Sequence, residues 1–347
     1  MNDLISVIIP VYHTGLYINK CLSSVSSQTY GNLELLCVID GDFDNSCLVM
    51  EQYTLVDDRV VAVEQNNKGQ SSSRNTGKHL ISGEWVTYVD SDDWIDLHML
   101  ESMLTTANCD QSDAVMCSFR KEFSDHSVDV HIFQRHLTLG RDDIKENILR
   151  RLFGPMRREL RNPQYLDLLV QNWAQLYRSD ILFDIEFIDS KLIGTEDLLY
   201  QVMVYNKCMK FSYIRKPYYH YRKTNLYSIT SRYRPELFKQ WINQYILLAD
   251  LIIKYQLEGE TQIALKNRIG ISVFFLLLDI CTSNLSFTEK RNATAEMLRT
   301  QPYRMAVQEL STRDMRIEWR VIYFVIKKNL CSLCVIICEL INAIRRL

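Results

Sequence analysis

The sequence predicts an α/β protein in which a mainly parallel sheet lies between helices, followed by a helical C-terminal region. Three observations lead to this fold class. Short β-branched runs alternate with longer stretches of helical spacing in the N-terminal part of the chain. Two of these runs end on an acidic residue, at Asp40 and at Asp90, where a loop begins. Beyond about residue 231, only long helical patterns remain.

The predicted strands are apolar runs of the length typical of buried strands. They are Leu4 to Tyr12, Leu33 to Asp40, Val60 to Gln65 and Glu84 to Asp90. Between the first two, Leu16 to Gln28 has apolar residues at helical spacing and predicts a helix. Strands separated by helices of this length form parallel sheets, so ligands are expected beyond the carboxyl ends of the strands.

Two polar stretches lie at these predicted strand ends. After the fourth strand, "YVDSDDW" places three carboxylates within four positions, at Asp90, Asp92 and Asp93. Before that strand, "NNKGQSSSRNTG" (residues 66–77) predicts a polar loop that leads into a helix. Its serine and asparagine side chains could simply cap that helix. Alternatively, Arg74 in the same segment could reach a phosphate at the strand ends.

The C-terminal region, residues 231–347, is predicted to be helical. Residues 235–257, 264–285 and 315–347 show helical periodicity with broad apolar faces. The uninterrupted apolar run at 330–337 is far shorter than the roughly 20 residues that span a bilayer. Basic residues flank or interrupt the apolar stretches of the last segment, namely Arg313, Arg316, Arg320, Lys327, Lys328, Arg345 and Arg346. This mixture fits a helix lying in a membrane interface, and it equally fits a helix pair packed on its own domain or on a second copy.

Composition argues against nucleic-acid binding and against a secreted disulfide framework. Lys and Arg number 40 and Asp and Glu number 42, so no extended basic surface is expected. The opening "MNDLISVIIPVYHTG" lacks the basic flank and long apolar core of a signal peptide. Ten irregularly spaced cysteines fit free thiols in a reducing compartment. We therefore expect a cytoplasmic protein, with peripheral contact at the inner face of the membrane as one outcome of the C-terminal pattern.

Six stretches of the sequence together resemble the family 2 glycosyltransferases, which are inverting enzymes with a GT-A fold. They are "SVIIPVY", "SQTY", "VIDGDFDNS", "NKGQSSSRNTG", "GEWVTYVDSDDW" and "GTEDLLY". Each stretch alone is weakly specific, but all six occur in the family's order and spacing between about residues 4 and 200. The resemblance implies that residues 1–230 form a GT-A glycosyltransferase domain.

The resemblance also implies a divalent metal, Mn²⁺ or Mg²⁺, at the acidic turn after the fourth strand. Such a cation offsets the charge that develops on a departing nucleotide diphosphate. It takes few protein ligands, prefers oxygen, and fills its remaining positions with water and phosphate. By the family pattern, Asp92 is the expected direct ligand. Asp90 faces either the nucleotide ribose or a metal-bound water.

Further residues are expected to contact the nucleotide sugar. In the family pattern, Asp40 accepts a hydrogen bond from uracil N3–H, although this chain has Asp40-Gly41-Asp42 where the family usually has Asp-Gly-Ser. The end of the first strand lines the base pocket, and Arg74 approaches the uracil or the diphosphate. A later basic segment can close over the diphosphate. The full expected set is Pro10, Val11, Tyr12, Asp40, Lys68, Arg74, Asp90, Ser91, Arg222, Lys223 and Ser228.

The catalytic base is expected in "GTEDLLY", where Glu196 and Asp197 open a predicted helix. Taken alone, the two acids could serve the helix dipole, with Thr195 as the cap. The resemblance instead implies that Asp197 removes the proton from the acceptor hydroxyl and that Glu196 assists beside it.

The function implied is metal-dependent, inverting transfer of a hexosyl or N-acetylhexosaminyl group from a UDP-sugar. The acceptor would be a saccharide, expected to be lipid-linked, in the synthesis of capsule, O-antigen or another surface polysaccharide. Two alternatives remain open. One is a nucleotidyltransferase acting on sugar phosphates, although "IIPVYHTG" lacks the glycine-rich signature expected there. The other is an inactive nucleotide-sugar-binding module.

Overall fold

The computed structural model describes residues 3–41, 44–225 and 233–346. The chain divides into two compact units. The first comprises residues 1–148, 169–190 and 196–227, and the second comprises residues 149–168, 191–195 and 228–347. The second unit therefore contains two short segments that precede the predicted C-terminal region in sequence.

The first four strands form one half of the sheet, and all of them are parallel. They are β1 (Ile5–Val11), β2 (Leu33–Asp40), β3 (Val60–Gln65) and β4 (Trp85–Tyr88), in the spatial order β3-β2-β1-β4. Every residue of β1 is buried, as the continuous apolar run predicts for a central strand. Because β1 lies between β2 and β4, the carboxyl ends of these strands meet at one edge of the sheet.

Three helices connect these strands: α1 (Ile18–Ser26), α2 (Ser46–Val56) and α3 (Gln70–His79). In α1, Ile18, Leu22 and Val25 are buried as their spacing predicts, whereas Leu16 lies before the helix and is exposed. The segment predicted as a polar loop is in large part α3, which begins at Gln70. This prediction was wrong because the segment carries few apolar residues, and its buried side chains are serines and Arg74.

Close packing of α3 on the sheet depends on Gly77. A Cβ atom at this position would lie 2.5 Å from Cγ2 of Ile8 in β1. The absence of a side chain therefore allows the helix backbone to approach the central strand. This approach brings Arg74, one turn earlier in α3, to the sheet edge where the strands end.

The second half of the sheet is mixed. It contains β5 (Trp94–Ile95), β6 (Ala114–Glu122), β7 (Ser127–Val130), β8 (Leu137–Gly140), β9 (Gln175–Arg178) and β10 (Lys210–Arg222). Strand β9 is antiparallel to both β4 and β6, and so joins the two halves. The long strand β10 is parallel to β6, with register shifts near Pro217. The central sheet between helices confirms the predicted α/β class.

The two longest of the remaining helices, α10 (Leu237–Lys254) and α11 (Glu260–Thr282), lie in the C-terminal part of the chain. The others are α4 (Met99–Asp110), α5 (Arg141–Ile144), α6 (Arg150–Phe153), α7 (Ser179–Leu182), α8 (Ser190–Ile193), α9 (Asp197–Lys207), α12 (Phe287–Arg299), α13 (Tyr303–Glu309), α14 (Ile317–Lys327) and α15 (Cys331–Arg346). Two 3₁₀ segments, Arg157–Arg161 and Pro163–Leu169, and a π turn, Lys145–Leu149, lie between α5 and β9.

The second unit is built around α11. This helix contacts α6, α10, α12, α13 and α15, and most of its residues are buried. Helix α12 begins with a capping box in which Ser286 and Glu289 each bond the other's backbone N–H. Across residues 3–41, 44–225 and 233–346, no helix has both the length and the apolar character needed to cross a bilayer. The ten cysteines all lie in the described ranges, and none of them forms a disulfide.

Candidate active site

The predicted site residues lie where β1, β2 and β4 end. Val11 and Asp40 are the last residues of β1 and β2, and Asp90 follows β4 by two residues. Strand β1 pairs with β2 up to Val11 and Ile39, so Tyr12 comes out of the sheet beside Asp40. Pro10 and Val11 are buried in the strand, whereas Tyr12 is exposed. Only Tyr12 of these three thus presents its side chain to solvent.

Arg74 is at the centre of this site. Its side chain is 1% exposed and forms three ion pairs. Nη2 lies 3.0 Å from Oδ1 of Asp90, while Nη1 lies 2.6 Å from Oε1 of Glu196 and 2.9 Å from Oδ1 of Asp197. The ring of Phe187 lies 5.4 Å from the guanidinium carbon. One guanidinium thus joins the acidic turn after β4 to the acids at the start of α9.

Helix capping does not account for the two acids at the start of α9. Glu196 occupies the N-cap position, yet its side chain makes no capping hydrogen bond. Its carboxylate accepts from Arg74 instead. The suggested cap, Thr195, is wrong because it lies one residue before the N-cap, and its carbonyl and hydroxyl oxygens both accept from Gln244. The acids are therefore held by a cation and not by the helix backbone.

The environment of Asp197 suits a proton acceptor. Burial raises its pKa, Arg74 opposes this shift, and the negative charges of Glu196 and Asp90 add to it. The net effect is a pKa well above that of an ordinary aspartate. Its side chain is still 25% exposed, so a hydroxyl group arriving from solvent can reach it. A carboxylate with a raised pKa is a stronger base near neutral pH than an ordinary one.

Asp92 and Asp93 differ in what surrounds them. Oδ2 of Asp92 accepts from the side-chain amide of Asn225 at 2.8 Å. Asp93 is fully buried and accepts from the hydroxyl of Tyr219 at 2.8 Å and from the backbone N–H of Arg222 at 2.7 Å. Burial and the neighbouring carboxylates raise the pKa of both groups. Asp93 thus anchors the end of β10, whereas Asp92 remains available to a ligand.

Asp40 organises the loop before α3. One carboxylate oxygen accepts from the Gln65 side chain at 2.7 Å and from the backbone N–H of Lys68 at 2.8 Å. The other oxygen accepts from the N–H of Gly69 at 2.7 Å. A carboxylate accepts about four hydrogen bonds, so these three among the described residues leave room for one more. Lys68 meets Asp40 through its backbone, and its side chain is exposed.

Other predicted residues are held in place by neighbours of the same unit. The Thr14 hydroxyl donates to Ser91 Oγ at 3.0 Å, and both side chains are buried. Nε of Arg222 donates to the carbonyl of Asp92 at 2.7 Å. The guanidinium of Arg222 lies 4.7 Å from each of the Tyr17 and Trp94 rings. This sandwich keeps the acidic turn against the end of β10.

The structure gives less information on the last two residues of the predicted set, Lys223 and Ser228. The Lys223 side chain donates to the Tyr221 hydroxyl at 3.2 Å, and the residue is exposed. Ser228 and Asp42 lie outside the described residues. Sequence patterns did not single out Asn225, Tyr219 or Gln70 as site residues. Nε2 of Gln70 lies 3.3 Å from Asp90 Oδ1, whereas Asn225 and Tyr219 donate to the acids that follow Asp90. Gln70 lies within the quoted stretch "NKGQSSSRNTG", and Tyr219 and Asn225 lie in the later aromatic and basic segment, but no pattern gave any of the three a role.

The chemistry of the acidic turn fits a hard divalent cation. In the part of the chain that the structure describes, no group of three or more His, Cys, Asp or Glu side chains is arranged as a metal cage. One oxygen of Asp90 is already paired with Arg74. Asp92 accepts from a neutral amide, and burial together with the charge of Asp90 raises its pKa, so a cation would favour its charged form. Oxygen donors in small number are what Mg²⁺ and Mn²⁺ take from proteins.

Solved structures share this fold. Residues 1–349 of Staphylococcus aureus TarS, solved in complex with UDP-GlcNAc, align with a TM-score of 0.55 and 18% identity. The alignment covers 99% of this chain and 91% of that one. A mannosyltransferase from Pyrobaculum calidifontis, PcManGT, solved with GDP-Man and Mn²⁺, aligns with a TM-score of 0.51 and 14% identity, over 97% and 86% of the two chains. At these identities the likeness concerns the fold alone, and it confirms the predicted GT-A architecture.

Sequence relatives extend the comparison to family level. EpsH of Bacillus subtilis (strain 168), named as a glycosyltransferase, is 32% identical over 70% of this chain and 67% of its own length. Glycosyltransferase GlyA of Streptococcus pneumoniae serotype 4 is 33% identical over 64% of this chain, but over only 31% of its own length. The family model described as "Glycosyl transferase family 2" matches residues 6–182. The chain therefore belongs to glycosyl transferase family 2, as its motifs predicted, and is a glycosyltransferase.

Proposed function

We propose that this glycosyltransferase moves a hexosyl or N-acetylhexosaminyl group from a UDP-sugar to a saccharide acceptor with inversion at the anomeric carbon. The acceptor is expected to be lipid-linked, in the assembly of a cell-surface polysaccharide such as capsule or O-antigen. The observation that carries the proposal is the buried Arg74, which joins the acidic turn to Glu196 and Asp197. A nucleotide-binding group and a base are thereby held at one edge of the sheet.

The proposed reaction is a single displacement. The acceptor oxygen bonds to the anomeric carbon, the bond from that carbon to the diphosphate oxygen breaks, and Asp197 takes the hydroxyl proton. The raised pKa of Asp197 favours this transfer, while Arg74 keeps the carboxylate oriented. Attack from the face opposite the leaving group inverts the anomeric centre. Glu196, on the same guanidinium nitrogen, fixes the position of Arg74.

Arg74 also has a donor left for the nucleotide. Both terminal nitrogens bind carboxylates, but among the described residues its buried Nε has no acceptor. A buried donor without a partner is costly, and a ligand oxygen would satisfy it. We propose that Arg74 positions the base through Nη1 and contacts the bound UDP through Nε. Asp40 would use its remaining acceptor position for uracil N3–H.

The proposed metal would be held by Asp92, with Asp90 as a ligand or as a contact to metal-bound water. When bound, Mn²⁺ or Mg²⁺ offsets the charge of the leaving diphosphate. PcManGT, solved with Mn²⁺, supports this only through its shared fold. Arg222 and Lys223, together with Ser228 outside the described residues, are proposed to contact the diphosphate.

The test is a donor screen with the full chain. UDP-sugars and GDP-sugars are incubated singly with Mn²⁺, Mg²⁺ or a chelator, and nucleotide release is measured. We expect release of UDP from one UDP-sugar in the presence of metal and loss of this release with the chelator. In a parallel incubation of UTP with sugar 1-phosphates, release of pyrophosphate, with no UDP released from the UDP-sugars, would indicate a nucleotidyltransferase. Binding of a nucleotide sugar without turnover, even with saccharide acceptors, would indicate an inactive binding module.

A further inference from the structure

We propose that the two last helices, α14 and α15, bind an anionic lipid surface through an exposed apolar face. This goes beyond the transfer reaction, because it concerns side chains of α14 and α15, and none of the proposed site residues lies on these two helices. The term C-terminal apolar face refers here to one set of exposed side chains. They are Ile317, Val321, Phe324, Leu333, Ile336, Leu340 and Ile344.

Helix α14 contributes a stripe of three large apolar side chains. Ile317, Val321 and Phe324 follow one another at intervals of four and three residues, so they lie on one side of the helix. Their exposed fractions are 69%, 54% and 59%. The opposite side of α14 is already occupied, because Tyr323 and Ile326 are buried. The exposed stripe is therefore additional to the side that packs on the protein.

Helix α15 repeats the arrangement over its whole length. Leu333, Ile336, Leu340 and Ile344 are 40% to 70% exposed and recur at helical spacing. The other side of the helix packs into the unit through Cys334, Val335 and Cys338. Since α14 and α15 contact each other, the two stripes belong to one helix pair. Soluble proteins rarely expose large apolar side chains at this density without a partner.

The charge of the helix pair identifies the partner. Residues 313–346 contain seven Arg or Lys and three Asp or Glu, an excess of four positive charges. The whole chain carries a net charge of −2, so the remainder carries −6. A symmetric contact between two copies would bring two such positive surfaces together, which is unfavourable. An anionic lipid surface instead attracts the basic residues and accepts the apolar ones.

Individual basic side chains flank the stripe. Arg316 and Arg320 are exposed at the start of α14. Lys328 is exposed directly after α14, four residues after Phe324, and therefore extends the same side of the helix. Cationic groups therefore lie around Ile317, Val321 and Phe324. If these apolar side chains entered the acyl region of a bilayer, the cationic groups would lie at the level of the lipid headgroups.

A cleft beside the same helix pair is also basic. It has a volume of about 630 Å³, and Cys331, the first residue of α15, forms part of its wall. Two exposed arginines, Arg291 and Arg299, line it together with one acid, Glu296. Ala295 and the polar residues Asn292 and Thr300 complete the lining. This cleft adds a second place where an anionic headgroup would be favoured.

The experiment measures co-sedimentation of the full chain with lipid vesicles. Vesicles of phosphatidylcholine alone are compared with vesicles that also contain phosphatidylglycerol. We expect binding at least about tenfold stronger to the anionic vesicles, and weaker binding as salt is raised. Replacing Phe324→Ser together with Leu340→Ser should reduce binding to the anionic vesicles about tenfold or more. Replacing Arg320→Gln together with Lys328→Gln should reduce the salt dependence.

The matched control replaces two apolar side chains of the first unit that are even more exposed than Phe324 and Leu340, in the variant Leu55→Ser with Phe183→Ser, and should bind like the unaltered chain. Thermal unfolding and UDP release without vesicles, measured on every variant, show that each remains folded and active independently of lipid. Equal binding to both kinds of vesicle, or no binding, would overturn the proposal. So would a dimer in solution that the Phe324→Ser and Leu340→Ser variant loses, because a second copy would then cover the face.

Discussion

The position of Arg74 decides how the residues of the site work together. A buried cation is stable only when it is paired, and here three carboxylates from two other segments surround it. Asp90 and Glu196 are 106 residues apart in the chain, yet both contact the same guanidinium. Any change at this residue therefore acts on the proposed donor side and the proposed base side together.

Replacing Arg74→Met should destabilise the protein by about 3–5 kcal/mol, because buried carboxylates lose their partner. Urea unfolding followed by circular dichroism measures the change. The matched control is Arg157→Met, since Arg157 pairs with Glu260 at 2.6 Å with both side chains largely exposed. That change should cost no more than about 1 kcal/mol. Similar losses for the two variants would contradict the burial of charge at Arg74.

The raised pKa of Asp197 predicts a pH dependence of catalysis. A base acts in its deprotonated form, so kcat/KM should fall as the pH drops below the pKa of Asp197. Because burial raises this pKa, the fall should begin well above the ordinary aspartate value of about 3.9. The pH profile of UDP release, with stability checked at each pH, tests this. A profile that stays flat down to about pH 4 would remove Asp197 as the base.

Replacing Asp92→Ala should weaken Mn²⁺-dependent binding of UDP, since its carboxylate is the proposed direct ligand. Titration calorimetry of UDP with and without Mn²⁺ measures the effect. Asp58→Ala is the control, because Asp58 is exposed and lies just before the start of β3, at the opposite end of that strand from the carboxyl ends where the site lies. Unchanged Mn²⁺-dependent affinity in Asp92→Ala would exclude that residue from the metal site.

The sequence predicted the residue types of the site better than their contacts. Asp40, Arg74, Asp90, Glu196 and Asp197 were all singled out by motif. No linear pattern shows that Arg74 binds three of these acids, because that contact brings α3 together with the turn after β4 and with the start of α9. Nor does a motif show that Asp40 accepts from the backbone of Lys68 and Gly69.

Strands and helices could be predicted from the sequence where a local hydrophobic pattern determines them. The bounds of β2 and β3 agree with the apolar runs at residues 33–40 and 60–65. Helix α3 was not predicted, because the side of the helix that is buried at the site is polar. The sequence of this segment therefore shows no hydrophobic periodicity. Strand β9 was not predicted either, since its antiparallel pairing with β4 and β6 joins residues far apart in sequence.

Packing of α3 on β1 can be tested at Gly77. Replacing Gly77→Ala should destabilise the protein by about 1–3 kcal/mol, because the added Cβ would lie 2.5 Å from Ile8 Cγ2. Gly31→Ala is the control, since nothing lies within 4 Å of a Cβ at that position. Chemical denaturation compares the two. Equal stability of both variants would mean that α3 does not approach β1 this closely.

At the scale of the whole molecule, the two proposed activities fall on different units. All described residues of the proposed reaction belong to the first unit, and the C-terminal apolar face belongs to the second. The sequence predicted the helical region at residues 231–347 from its long periodic patterns. It did not assign residues 149–168 and 191–195 to the same unit, because short turns such as α6 are too brief to show a period.

The measurement that tests the central claim most directly compares binding and turnover in an Asp197→Asn variant. Asparagine keeps the size of the side chain but cannot take the acceptor proton. We predict that UDP affinity, measured by calorimetry with Mn²⁺, changes by no more than about twofold, while acceptor-dependent UDP release falls about a hundredfold or more. Release at the rate of the unaltered enzyme would contradict the assignment of Asp197 as the base.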